Sequence, residues 1–101
     1  MGTRIEFQNI LEHILGERNV HFQPPPDFIL RYPTIVYDLS GIRMNRADNG
    51  SYSTTREYLV TLIDRNPDSR FVDELSKLRM STFDRHYISD NLHHYIFRIF
   101  Y

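Results

Sequence analysis

Four of the chain's five prolines fall in one stretch, HFQPPPDFILRYPTIVYDL, between His21 and Leu39. Pro24, Pro25 and Pro26 each hold φ near about −65° and each lacks a backbone donor, so this triplet cannot join a sheet interior. The triplet is expected as stiff, solvated polyproline II. The chain is thereby committed to a fixed arm leading into a sheet. Phe28, Ile29, Leu30 and Tyr32 supply apolar anchors for it. Without a PxxP repeat, a spacer between helix and sheet is a better reading than an SH3 ligand.

Thr3 to Leu15 reads as a helix. Thr3 and Glu6 are spaced as a capping box, and Gly16 is placed to end the helix in a left-handed conformation. Ile5, Ile10, Leu11, Ile14 and Leu15 follow the helical period and mark the expected buried face. Phe7 falls off that face, either as a second contact surface or as a cover for the helix start. Asn19 to Gln23 can be read as a short extended segment and is not counted among the strands.

Thr34 to Leu39 is a strand by its β-branched and aromatic content. Arg56 to Asp64, REYLVTLID, is a second. Leu59, Val60, Leu62 and Ile63 make it apolar on both faces, which predicts a central strand covered on both sides. Between them SGIRMNRADNGSYSTT is rich in turn formers, with Asn49-Gly50 as a turn signal. Its length predicts a long hairpin projecting from the body. Asn66-Pro67-Asp68 is expected to open a second helix, Asn66 as cap and Pro67 in the first position. Phe71, Val72, Leu75 and Leu78 line one face of it. Met80 to Ile88 and Leu92 to Tyr101 form a hairpin around Ser89-Asp90-Asn91. In the last strand Tyr95, Phe97, Ile99 and Tyr101 share one face, and His94, Ile96, Arg98 and Phe100 the other.

The expected fold class is therefore α+β, a single domain over residues 1–101. It has a mainly antiparallel four-stranded sheet with two packed helices, in the order α-β-β-α-β-β, with a long hairpin between the first two strands. If the apolar last strand lies at an edge, it offers an unpaired ladder to a neighbour.

A net charge of −1 argues against a generic nucleic-acid binder, which needs a basic footprint. Arginine supplies eleven of the twelve cations, with Lys77 the only lysine. Arginine suits planar pairing at interfaces, although lineage bias explains the skew equally well. The absence of cysteine excludes disulfides, thiolate metal sites and a cysteine nucleophile. No apolar run approaches the ~20 residues of a membrane span. MGTRIEFQ lacks the regions of a signal peptide, and Glu6 stands where a myristoylation pattern wants Ser or Thr. The expectation is a soluble chain made in the cytoplasm, without a membrane partner.

Five histidines raise the question of a metal. His93 and His94 are adjacent in a strand and point to opposite faces. His86 can pair across the hairpin with one of them, but no acidic residue completes a convincing spacing. No metal site and no cofactor are expected. Asp84-Arg85-His86 cannot converge on one substrate from consecutive strand positions, and no kinase signature, P-loop or G-x-S-x-G accompanies it. No catalytic residue is expected, and the chain does not read as an enzyme. Fourteen large rings exceed what a small core easily hides, and Tyr, Phe and Arg are enriched at protein interfaces. An assembling subunit is the favoured class.

Four stretches carry a resemblance: LEHILGERNVHFQPPP, YPTIVYDLSGI, YLVTLIDRNPDS and STFDRHYISDNLHHYIFRIFY. Together they resemble the tail terminator and tail-completion (tail-to-head joining) proteins of long-tailed bacteriophages. The specific parts are Q-P-P before Y-P-x-I-V-Y, the ID-R-x-P-D-S turn, and S-F-D-R-H-Y-x-x-D-N-L with Thr82 inserted. The resemblance implies a structural virion protein of the tail or neck, without catalytic residues or cofactor. Its copies would form a ring, usually a hexamer, that caps the tail tube protein and joins it to a head-side connector or head-closure protein. DNA would pass through the lumen. Another neck component, or a small nucleic-acid-binding module, is the alternative.

A closed ring needs a heterologous interface, in which one surface of a subunit meets a different surface of the next. The candidate inter-subunit or inter-ring contacts are Pro24, Pro25, Pro26, Phe28, Arg43, Arg46, Asp48, Asn49, Phe97, Phe100 and Tyr101. Arg43, Arg46 and Arg56 are the candidates for facing DNA in the lumen, where affinity would fall with salt.

Overall fold

Thr3 and Glu6 begin the chain's order locally. The Thr3 hydroxyl accepts from the Glu6 backbone N–H at 3.2 Å, and the Glu6 carboxylate accepts from the Thr3 N–H at 3.1 Å. This reciprocal capping box starts α1, Arg4–Leu15. Gly16, at φ +81°, closes it in the left-handed region that a Cβ would oppose. The computed structural model describes residues 3–25, 30–46 and 52–101.

The helix buries Leu11 and Leu15 of the expected face, with Ile14 packed against the core, but it turns Phe7 inward and Ile5 outward. Phe7, Leu11 and Leu15 are its buried residues, whereas Ile5 is 57% exposed. The reason is aromatic. Phe7 stacks on Tyr58 at 4.8 Å between centroids, meets Tyr37 edge-on at 5.6 Å and lies 5.2 Å from Tyr101. One ring in such a cluster buries more area than an isoleucine and gains from the ring geometry. The helix rotates to seat it.

The chain continues as β1 (Val20–Phe22), β2 (Thr34–Arg46), β3 (Tyr52–Asp64), α2 (Arg70–Ser76), β4 (Ser81–Ser89) and β5 (Leu92–Phe100). The sheet has five strands in the order β1-β2-β3-β5-β4. β1 runs parallel to β2 and every other pair is antiparallel. This corrects the expected four-stranded sheet and its α-β-β-α-β-β order. The extra strand is Val-His-Phe, too short to show a period.

Parallel neighbours need a crossover, and here the proline arm is that crossover. Asn19 pins its return. Its side-chain amide donates to the Arg31 and Pro33 carbonyls at 2.6 and 2.8 Å. Its own carbonyl accepts from the Ile35 N–H at 3.2 Å and the Thr34 hydroxyl at 2.8 Å. The Tyr32–Pro33 peptide is cis.

The stretch expected as a long projecting hairpin is paired nearly throughout, so β2 runs on past Leu39 and β3 begins before Arg56. β2 and β3 pair from Thr34↔Ile63 to Arg46↔Tyr52, with an irregularity between Leu39 and Gly41. This two-stranded extension contributes to a longest dimension of 52 Å. The last strand is not at an edge. β5 lies between β3 and β4, so the edges belong to the short β1 and to β4, whose residues are almost all exposed. Asp90 and Asn91, both with positive φ, make a two-residue turn between these strands, as expected of type I′.

The second helix starts later than Asn66. The Asp64 carboxylate accepts from the Asn66 N–H at 3.1 Å, and the Asn66 side-chain oxygen accepts from the Asp68 N–H at 2.9 Å. These consecutive Asx turns precede Ser69, which occupies the cap position. Phe71 and Leu75 of α2 join Phe7, Leu11 and Leu15 in one core against Tyr37, Val60, Leu62, Tyr95, Phe97 and Ile99. Phe7→Ala is expected to destabilise the fold by about 3–5 kcal/mol, as large aromatic truncations in cores do. Ile5→Ala should stay within about 0.5 kcal/mol. Urea unfolding of both variants checks the rotated helix face.

Candidate functional site

Strand alternation divides the sheet into two unlike faces. The core just described lies under both helices. The other face carries Val36, Leu59, Thr61, Ile63, Ile96, Arg98 and Phe100, all set by the registers of β2, β3 and β5. Ile63 and Ile96 are buried yet take no part in the helix-side cluster. Among the described residues no helix lies over this face. β3, expected to be covered on both sides, therefore has helices on one only.

Charges rim this face. Asp38 is exposed beside Leu59 in register. The Asp84 carboxylate, at a bulge in β4, lies 3.8 Å from Arg85 and 3.9 Å from Arg98. Such exposed pairs contribute little stability. An apolar centre with a charged rim is instead the anatomy of a protein interface. Tyr87 and His94 stack at 4.5 Å on the same face.

The projecting end of the β2–β3 ladder forms a second surface. Leu39, Ile42 and Met44 are 39, 57 and 54% exposed. By register they oppose Tyr58, Arg56 and Thr54, on the helix side of the sheet but beyond the helix start. Leu39 also lines a cavity of about 300 Å³ with Thr3, Arg4, Phe22, Arg56 and Tyr58. The alternation of Ile42 and Met44 in SGIRMN was the sequence signal for this stripe, hidden among turn-forming residues.

The sequence-derived contact residues scatter over these surfaces. Arg43 is exposed, with its guanidinium 4.7 Å from the Phe100 ring centroid, so these two candidates do meet. Arg46 pairs with Tyr52 at the far end of the ladder. Pro24 is half-buried and Pro25 exposed, directly after Gln23, whose N–H donates to the Tyr37 carbonyl. Pro26, Phe28, Asp48 and Asn49 lie outside the described residues.

One candidate is corrected. Phe97 is fully buried under the helices and has no surface to offer a neighbour. Tyr101 is half-buried, exchanges two backbone hydrogen bonds with Arg56, and packs its ring on Phe7. The proposed lumen set also divides. Arg43 opposes Thr55 and Arg56 opposes Ile42, so the two arginines point to opposite faces. The residues that sequence reasoning missed are Leu59, Ile63 and Ile96, because a strand apolar on both faces reads as buried twice.

Tyrosines carry the resolved electrostatics. Tyr37 donates to the Gln8 side-chain oxygen at 2.5 Å and accepts from Arg4 at 3.2 Å. Burial pushes its phenol above the ordinary value, with Arg4 opposing. Burial likewise raises Tyr58 against Arg56 and Arg4. Tyr95 is raised by burial and then by the Asp64 and Asp68 carboxylates, and its hydroxyl donates to the Pro67 carbonyl at 2.9 Å.

No protein-family model matches the chain, and no curated protein matches it. The resemblance to tail-completion proteins thus stands on the quoted stretches alone.

The three raised phenols carry a sign for alkaline stability. A folded value above the unfolded one means the native state holds its protons longer. Their contribution is complete below the ordinary tyrosine value of 10.0 and is lost as pH rises beyond it. Thermal melts followed by circular dichroism should fall in midpoint above that pH. Tyr37→Phe should blunt the fall.

Proposed function

We propose that this chain is a structural virion protein of a long-tailed bacteriophage, a subunit of a ring that caps the tail tube and joins it to the head-side connector. The observation that carries the reading is the sheet face turned away from the helices. Val36, Leu59 and Phe100, half-buried around the buried Ile63 and Ile96, form an apolar strip over which no helix lies among the described residues. A half-buried apolar strip with a charged rim gains by meeting another surface. The projecting ladder, with Leu39, Ile42 and Met44 exposed, is a different surface from the strip. Two unlike apolar surfaces on one chain suit a heterologous contact, which closes into a ring. The motif resemblance supplies the setting.

DNA in the lumen would then meet arginine from one face of the ladder, Arg43 or Arg56, but not both. A monomeric nucleic-acid module is the second reading, with the exposed Tyr87 on the same face as Arg85 as a stacking ring. Against it, Tyr87 is already stacked on His94 and the net charge is −1. A gel shift at low salt with strong retention of single strands would favour that reading.

Tails assembled without this protein should be overlong or uncapped in negative stain and should fail to join heads. Tails of normal length that join heads normally would refute the proposal. Leu59→Arg should change stability by about 1 kcal/mol and yet abolish oligomer formation and complementation. A variant that still forms the wild-type oligomer would remove this face from the interface.

A further inference from the structure

The β4–β5 hairpin gathers a cluster that the assembly reading leaves unused. His86 Nε2 lies 3.0 Å from His93 Nδ1. The two rings are inclined by 12° with centroids 5.2 Å apart, and His86 also stacks on Tyr95 at 4.7 Å. Tyr95 is buried and held by its hydrogen bond to Pro67, so it is a fixed floor beneath the pair. His86 itself is exposed and His93 half-buried.

At this separation one ring donates a proton and the other accepts it, so one lone pair already points at the other nitrogen. Two imidazoles on one first-row ion, with metal–nitrogen bonds of ~2.0–2.1 Å, hold their nitrogens about 2.9 Å apart at a right angle and about 3.3 Å apart at a tetrahedral angle. The observed spacing falls in that span. An ion replacing the shared proton would need the imidazoles to turn about χ2, not the strands to move.

The surrounding charge favours a cation. Asp64 stands directly opposite His93 across β3 and β5, and the Asp64 and Asp68 carboxylates both act on Tyr95 beneath the pair. Arg85 is turned to the other face beside Asp84. His94 is likewise on the other face, near the Leu92 carbonyl and stacked on Tyr87.

We propose that His86 and His93 form a two-imidazole site for a borderline transition-metal ion, Cu²⁺, Ni²⁺ or Zn²⁺, with water in the remaining positions. Among the described residues no third metal-ligating side chain joins them, and the exposed His86 leaves the site open to water. It stands apart from the ring reading, and neither depends on the other.

The test uses the full chain without an affinity tag, stripped with chelator, at neutral pH. Titration with the chloride salts of copper, nickel and zinc is followed by calorimetry, and imidazole signals by NMR with zinc. One ion per chain is expected, tightest for copper, with shifts at His86 and His93 and none at His13, His21 or His94. His86→Gln and His93→Gln should each lose saturable binding while keeping the native circular dichroism spectrum. Absence of saturable binding for all three ions overturns the proposal, as does binding that survives in both variants.

Discussion

Phe7 among Tyr37, Tyr58 and Tyr101 is the contact on which the rest of the structure depends. It ties α1 to β2, β3 and the chain's last residue at once. A polar chain runs beside it. Arg4 donates to the Tyr37 hydroxyl, Tyr37 to Gln8, and the Gln8 amide to the Val20 carbonyl at 3.0 Å. The Tyr37 hydroxyl thereby enters the core with one donor and one acceptor beside it. The chain ends on β1, a three-residue strand with little cohesion of its own. α1 and Asn19 together hold it against β2.

Seating α1 in this way decides which face of the sheet is covered. α2 is drawn to the same side, since Phe71 and Leu75 complete the same core. The opposite face keeps its aliphatic strip, and the β2–β3 ladder runs past the helices with its own exposed stripe. Which apolar surfaces the helices leave uncovered therefore follows from where one aromatic ring sits. Composition is a poor guide to these surfaces, since an aromatic residue such as Phe97 is fully buried in the core.

Much of the fold was legible where interactions are local. Thr3 and Glu6 announce a helix start, Gly16 its end, and Asp90-Asn91 a tight turn. The inward face of β5 followed from simple alternation. The candidate site was less legible. Arg43 and Phe100 were both named, but their contact across two strands was not visible in a linear reading. Leu59, Ile63 and Ile96 were hidden because an apolar residue does not say which neighbour will cover it. Phe7 was misread because helical periodicity weighs an isoleucine and a phenylalanine alike, whereas burial favours the larger ring.

By itself the sequence determined the kinds of element and their punctuation, since capping, turn formation and proline's missing donor act within a few residues of chain. Only the tertiary structure decided that Val20–Phe22 would pair in parallel with β2, that β5 would be internal and β4 an edge, and that His86 would meet His93. These outcomes rest on contacts between distant segments, chosen by which combination buries the most apolar surface while pairing every strand.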